Sequence, residues 1–89
     1  MEFEWDEQKR QKNIEKHHVD FVLADALFAT EFVTIPDDRM DYGEERWIAG
    51  GLIDGQFYVC AFTWRSARVR VISMRRGGHR EQRRFGFDC

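Results

Sequence analysis

The chain has 89 residues, of which 43% are hydrophobic, so it predicts one domain over residues 1–89 with a modest core and excludes a disordered polymer. Its formal net charge of −2, taken alone, argues against a nucleic-acid partner. No apolar run approaches the roughly 20 residues that span a bilayer, and residues 1–4 lack the features of a secretion signal, which favours the cytoplasm. Cys60 and Cys89 are then expected to stay reduced, and no Cys and His spacing predicts a metal or other cofactor.

Hydrophobic periodicity and turn residues predict an α+β fold. The predicted elements, in chain order, are a strand at 3–5, helices at 7–17 and 21–29, strands at 31–35, 45–52, 56–64 and 68–74, and a short helix at 79–85. Asp6 and Asp20 stand where side chains cap helices, and Asp54-Gly55 and Ser66-Ala67 are typical of turns between strands. Two helices followed by a run of strands favour an antiparallel meander over a parallel sheet. In the last predicted strand, polar and apolar residues alternate poorly.

The first predicted helix is unusual because Ile14 is its only aliphatic residue, so no wide apolar stripe can hold it in place. Lys9, Asn13, Lys16 and His17 are spaced at i, i+4, i+7 and i+8 and share one face. The face is interpreted as solvated, with His17 near the C-terminus of the helix, where the helix dipole favours a cation. The alternative is a ligand-binding face.

Charge is divided unevenly between the two halves of the chain. Residues 1–45 carry five basic and thirteen acidic side chains, a balance of −8, whereas residues 46–89 carry nine basic and three acidic ones, a balance of +6. Every basic side chain of the second half is an arginine, whose planar fork suits bidentate contacts with phosphate. The asymmetry indicates an anion-binding face. Alternatively, folding interleaves the halves and their charges pair internally.

A series of short motifs follows one order along nearly the whole chain: Phe3-Glu4-Trp5-Asp6, Lys9, Asn13-Ile14-Glu15-Lys16-His17, Val19-Asp20-Phe21, Asp41-Tyr42-Gly43-Glu44, Arg46, Thr63-Trp64-Arg65, Arg70-Val71-Ile72-Ser73-Met74-Arg75 and Glu81. This ordered set resembles the BrnT family of toxins from type II toxin–antitoxin systems. The resemblance implies a RelE-like fold and a metal-independent endoribonuclease that inhibits translation. It also implies neutralisation by a BrnA-type antitoxin whose ribbon-helix-helix domain binds operator DNA.

Three positions depart from the family pattern. His18 stands where the family usually has a glycine that ends the helix, and we expect either local strain or a different helix end there. Phe85 stands where the third helix commonly ends with tyrosine, so any proton transfer by that hydroxyl is missing here. Met74 replaces a common alanine and is interpreted as a variation in packing.

Metal-free RNA cleavage needs a base for the 2′-hydroxyl, cations for the phosphorane oxygens and an acid for the leaving 5′-oxygen. Under the resemblance, Arg65 and Arg75 match phosphate-binding positions. The predicted register sets them apart along the sheet unless the Arg70 end or the bend at Gly77 brings them together, and each alternatively pairs with a carboxylate on a neighbouring helix. His17 is the best acid–base candidate because its ordinary pKa of about 6.5 serves either role near neutral pH.

The remaining candidates are carboxylates, basic residues and aromatics. Glu44 and Glu81 act as bases or hold the arginines in place, and Phe57 and Phe62 are expected in the core. The candidate catalytic residues are therefore Arg65, Arg75, His17, Glu44 and Glu81, and the candidate substrate-binding residues are Lys9, Lys16, Arg70 and Trp64.

Two other functions compete with a ribonuclease toxin. The first is a non-catalytic, antitoxin-binding co-repressor subunit with the same fold, which the missing tyrosine and the acidic total charge support. The second is an unrelated small RNA-binding domain, which leaves the acidic first half unexplained. For a toxin, an acidic antitoxin segment is expected over the arginine-rich half, with Trp64 as a buried anchor.

Overall fold

A computed structural model describes residues 1–87, and Cys89 lies outside them. They form a five-stranded sheet with helices on both faces. The elements are β1 (Glu2–Glu4), α1 (Glu7–His17), a 3₁₀ turn (Phe21–Leu23) that leads into α2 (Ala24–Phe28), β2 (Val33–Pro36), β3 (Trp47–Ile53), β4 (Gln56–Arg65), β5 (Arg68–Arg76) and α3 (His79–Arg84). The predicted α+β class is confirmed, and the ends of the elements differ from the predicted ones by at most two residues.

The strands are ordered β1-β5-β4-β3-β2 across the sheet. Strands β2 to β5 form the predicted antiparallel meander. Strand β1, however, runs parallel to β5 and aligns Glu2 with Arg68 and Glu4 with Arg70. This pairing was not predicted, because the local alternation of a three-residue strand does not indicate its partner. Within residues 1–87, no helix is long and apolar enough to cross a membrane.

Each face of the sheet has its own hydrophobic core. On one face, α1, the 3₁₀ turn and α2 surround a cluster that includes Phe21 and Phe62. On the other face, Phe57 packs with Phe85, which follows α3. Phe57 and Phe62 are almost fully buried, as expected. Burial also raises the pKa of the Cys60 thiol to about 12, so this thiol stays protonated and unreactive.

Asn13 fastens α1 to the sheet in place of an apolar stripe. Its amide nitrogen donates to the carbonyl oxygens of Val19 at 2.8 Å and Met74 at 2.7 Å, and its Oδ1 accepts from the Met74 N–H at 3.1 Å. Strand β1 covers only Arg68–Arg70 of β5, so the Asn13 side chain takes the place of the missing strand partner at Met74. The interpretation of this helix face as solvated is therefore wrong for Asn13, which is buried.

A bulge in β5 explains the poor alternation of that strand. The register of β4 against β5 shifts between Ala61 and Phe62, which leaves Ile72 without a counterpart on β4. The extra residue turns the following side chains to the opposite face of the sheet. Ser73 and Arg75 consequently lie on the face covered by α3, not among the helices α1 and α2.

Within residues 1–87, residues other than glycine adopt left-handed backbone at three connections. His18 ends α1 with φ 58°, so the strain expected from its departure from glycine is present. The Asp54-Gly55 turn has φ angles of 48° and 82°, as its sequence predicts. Ser66 and Ala67, at 47° and 69°, adopt the same conformation without a glycine.

Candidate functional site

An ion pair between Arg75 and Glu81 joins the end of β5 to α3. Nη1 and Nη2 of Arg75 donate to the two carboxylate oxygens of Glu81 at 2.8 and 2.7 Å, and Nη1 also donates to the Arg76 carbonyl oxygen at 3.2 Å. These hydrogen bonds lower the pKa of Glu81 and raise that of Arg75 relative to their ordinary values. The Arg75 side chain remains 42% exposed. It is therefore a fixed guanidinium that is open to a ligand.

Gly77 makes this ion pair possible. A Cβ added at Gly77 would lie 2.5 Å from a ring carbon of Phe57 and 2.9 Å from a carboxylate oxygen of Glu81. The Gly77 N–H donates to the Phe57 carbonyl oxygen at 2.9 Å, which fixes the chain close to that ring. Only a residue without a side chain lets α3 return closely enough for Glu81 to reach Arg75.

A hollow of about 30 Å³ lies next to Arg75 and is lined by Ile48, Val59, Ala61, Ser73, Arg75 and Arg39. Arg39 reaches it from the loop between β2 and β3, where its Nε and Nη2 donate to the two carboxylate oxygens of Asp37 at 2.7 and 2.8 Å. The Asp37 side chain is 1% exposed and the Arg39 side chain 66%. Hydrogen bonding from Arg39 lowers the pKa of Asp37 below its ordinary value. A buried carboxylate thus holds an exposed cation at the rim of the hollow.

A larger cavity of about 270 Å³ separates α1 from the edge of β5 and is lined by Lys9, Lys12, Asn13, Lys16, His17, Ile72 and Ser73. Burial lowers the pKa of His17 below its ordinary value, and the charges of Lys16, Arg75 and His18 add to this effect. This lowering of the His17 pKa is opposite to the shift expected for a cation stabilised by the helix dipole. His17 is therefore a neutral imidazole among cations near pH 7.

Ser73 lines both the hollow and the cavity, so the two adjoin at this residue of β5. Five of the predicted site residues meet at this end of the molecule: Arg75, Glu81, His17, Lys9 and Lys16. They come from α1, β5 and α3, and the tie between Asn13 and Met74 holds the first two elements together.

The other predicted residues lie elsewhere. Arg65 pairs with Arg68 beside the β4–β5 turn, six residues along β4 from Val59, the partner of Arg75. At about 3.3 Å per strand residue the separation is roughly 20 Å, so the bend at Gly77 does not bring the two arginines together.

Arg70, Trp64 and Glu44 are likewise distant from Arg75. Arg70 pairs with Glu4 at 2.7 Å. Trp64 is half exposed and packs edge-on against Phe62, which belongs to the core on the α1 and α2 face. Glu44 pairs with Arg46 at 3.3 Å and lines a separate hollow that Trp64 also borders.

Three residues of the site were not among the predicted ones. Lys12 follows Lys9 by three positions and precedes Lys16 by four, so helical spacing could have found it. Ser73 depends on the bulge, and Arg39 on the course of a loop, and neither has a local sequence signal. Among residues 1–87, no three His, Cys, Asp or Glu side chains are grouped in a way that could hold a metal ion.

Fold and site together define a small α+β protein with a cationic site where the first helix, the last strand and the last helix meet. Residues 5–81 match the sequence profile of a family described as ribonuclease toxin, BrnT, of type II toxin–antitoxin system. The chain belongs to this family, and the resemblance found in its motifs is confirmed. A search of curated proteins finds no match to the chain.

Proposed function

We propose that this chain is an endoribonuclease toxin that cleaves RNA without a metal ion and thereby inhibits translation. The observation that carries the proposal is a guanidinium, Arg75, which Glu81 fixes while leaving it 42% exposed, beside a cavity that holds the neutral imidazole of His17. A fixed cation and a neutral base are two of the three groups that metal-free RNA cleavage requires.

His17 is proposed as the general base. Its lowered pKa leaves a ring nitrogen free of a proton near pH 7, so it can accept the proton of the 2′-hydroxyl. The 2′-oxygen then bonds to phosphorus, the bond from phosphorus to the 5′-oxygen breaks, and that oxygen takes a proton from the solvent in the open cavity. The products are a 2′,3′-cyclic phosphate and a 5′-hydroxyl.

Arg75 is proposed to stabilise the charge that develops on the phosphorane oxygens. Glu81 is better suited to hold Arg75 than to act as a base, because both of its carboxylate oxygens accept hydrogen bonds from that guanidinium and its pKa is lowered. Lys9 and Lys16, along the cavity wall, are proposed to bind the flanking phosphates. Arg65 and Arg70 are proposed to contact only more distant nucleotides.

The test is cleavage of RNA by the purified chain in the presence of EDTA, with wild-type protein and Arg75→Ala compared on one transcript. We expect products that end in a 2′,3′-cyclic phosphate from the wild type alone. Expression of the wild type should also arrest bacterial growth, and co-expression of a BrnA-type antitoxin with a ribbon-helix-helix domain should relieve the arrest. A folded wild-type protein that neither cleaves RNA nor slows growth would overturn the proposal.

A non-catalytic co-repressor subunit is the second candidate, and Phe85 is the observation that favours it. The ring of Phe85 is 5% exposed, lies 5.6 Å from that of Phe57 and offers no hydroxyl for proton transfer. A co-repressor would increase the affinity of the antitoxin for operator DNA without degrading RNA. Gel-shift titration of the operator, combined with the cleavage assay, separates the two candidates.

A further inference from the structure

The hollow beside Arg75 brings together groups whose chemistry the proposed function does not yet use. Two arginines, Arg39 and Arg75, and the hydroxyl-bearing residue Ser73 line the same small space, together with three apolar residues. The two arginines come from different elements, the β2–β3 loop and β5, and a separate carboxylate fixes each one.

We propose that Arg39 and Arg75 form a clamp for one phosphate of single-stranded RNA, with Arg39 as a further substrate-binding residue. The inference rests on the proposed function and names the residue that completes its phosphate site. Bidentate guanidinium contacts suit the geometry of phosphate, and two forks from different directions can hold two of its oxygens.

Electrostatics favours an anion in this hollow. Glu81 raises the pKa of Arg75, whereas burial and the positive charge of Arg39 oppose the rise, so the two arginines are close enough to repel each other. Ion pairs with Asp37 and Glu81 keep Arg39 and Arg75, respectively, in these positions. A phosphate between the two guanidinium groups would convert this repulsion into attraction.

The size of the hollow agrees with this ligand. Its volume of about 30 Å³ is more than the 10–15 Å³ that one water needs. It suits the oxygens of a single phosphate but is too small for a base. The neighbouring cavity of about 270 Å³, which Ser73 also lines, leaves room for the adjoining nucleotide and has His17 in its wall.

Binding of a 2′-O-methyl RNA oligonucleotide tests the clamp without any chemistry, because this probe has no free 2′-hydroxyl. Arg39→Ala should weaken binding about tenfold or more and make the slope of log Kd against log salt shallower by about 0.7. Arg39→Lys should keep the slope but not the affinity, because it keeps the charge without the fork. Arg83→Ala, which removes an exposed arginine of α3, is the matched control and should change affinity less than twofold.

A double-mutant cycle shows whether one phosphate is shared. If both arginines hold the same phosphate, the double variant of Arg39 and Arg75 should lose less affinity than the product of the two single losses. Equal losses for Arg39→Ala and Arg83→Ala, or purely multiplicative losses in the cycle, would overturn the clamp. Should Arg39→Ala unfold because Asp37 stays buried without its partner, D37N/R39A removes both charges and gives the same readings.

The clamp and the proposed function fail in different ways. A wild-type protein that cleaves RNA, with an Arg39→Ala variant that binds and cleaves equally well, refutes the clamp alone. A wild type that cleaves nothing, with an Arg39→Ala variant that loses binding, refutes catalysis and leaves the clamp standing.

Discussion

Arg75 serves two purposes, since it binds α3 through Glu81 and presents the rest of its guanidinium to the site. Arg75→Ala should reduce RNA cleavage about 10²- to 10³-fold, the usual effect of removing one charge-stabilising donor. The ion pair is half exposed, so unfolding should become easier by only about 1 kcal/mol. Cleavage kinetics and thermal melts measure the two effects.

Glu81→Gln is the companion variant, because it keeps the guanidinium but weakens its anchor. We expect a loss of roughly tenfold in cleavage, smaller than for Arg75→Ala, since a neutral amide holds Arg75 less firmly. Full activity of Arg75→Ala, or its complete unfolding, would identify Arg75 as a scaffold residue.

His17 should give the site a pH dependence with a definite sign. Folding lowers its pKa, so below the ordinary value of 6.5 the unfolded chain binds a proton that the folded chain resists. The free energy of unfolding should therefore fall as the pH drops from 7 through this range and should be independent of His17 above it. Cleavage should decline in parallel, with a midpoint below 6.5.

His17→Gln removes a titrating group without altering the size of the side chain greatly. The variant should lose the pH-dependent limb of the cleavage profile together with most of its activity, by about 10²-fold. Its unfolding free energy should respond less to acidification than that of the wild type. A wild-type profile that persists in the variant would exclude His17 as the base.

Among the secondary-structure elements, α1 depends on one amide more than on apolar contacts. Asn13→Ala would leave the N–H and C=O of Met74 and the C=O of Val19 without their buried partner. We expect a loss of about 2–4 kcal/mol in unfolding free energy. Gln11→Ala, which removes an exposed hydrogen bond to Glu7 on the same helix, should cost less than 0.5 kcal/mol. Equal melting temperatures for the two variants would contradict this account of α1.

Local sequence information was sufficient for the elements and for the antiparallel meander, and insufficient for contacts between residues distant in the chain. The caps at Asp6 and Asp20 and the turn at Asp54-Gly55 are short-range hydrogen-bonding and backbone preferences, so they could be predicted. The burial of Asn13 could not, because its partner Met74 is sixty-one positions away. The bulge at Ile72 was visible only as an irregular alternation.

For the site, helix spacing grouped Lys9, Lys16 and His17 correctly, and the structure adds Arg75 to them. Counting residues along the predicted antiparallel strands β4 and β5 sets Arg65 and Arg75 far apart, and the observed register of these strands agrees. The position of Arg39 depends on the path of the β2–β3 loop, which no local sequence pattern predicts. Spacing along one helix was therefore informative, whereas strand residues such as Arg65 and Arg70 were wrongly grouped with the site and those on the loop and the bulge were missed.

Among residues 1–87, fewer of the arginines in the second half form ion pairs than interleaving of the two halves would require, and several of the unpaired ones lie on α3. Arg68 and Arg70 pair with Glu2 and Glu4 along the β1–β5 contact. Within residues 1–87, however, Arg80, Arg83 and Arg84 are exposed and make no ion pair. We therefore expect an acidic antitoxin segment to approach α3 and the neighbouring site.

Replacing Arg80 and Arg83 with glutamine should slow antitoxin association about tenfold at low salt and leave RNA cleavage largely intact, because steering by charge acts mainly on the on-rate. Gln8→Glu with Gln11→Glu changes the net charge equally on the exposed side of α1 and serves as the control. Stopped-flow binding across a salt series measures both. If the association rate does not depend on salt, or if both variants slow it equally, the antitoxin binds a surface other than α3.

The contact between β1 and β5 also determines how late in synthesis the chain can complete its folding. Residues 2–4 can pair with residues 68–70, and Asn13 with Met74, only after those later residues have been synthesised. The early parts of the chain therefore lack these stabilising contacts until most of the chain has left the ribosome. The site also forms late, because His17 is synthesised early and Arg75 only near the end of the chain. If the chain is the toxin proposed above, we therefore expect it to become active only when its synthesis is almost complete.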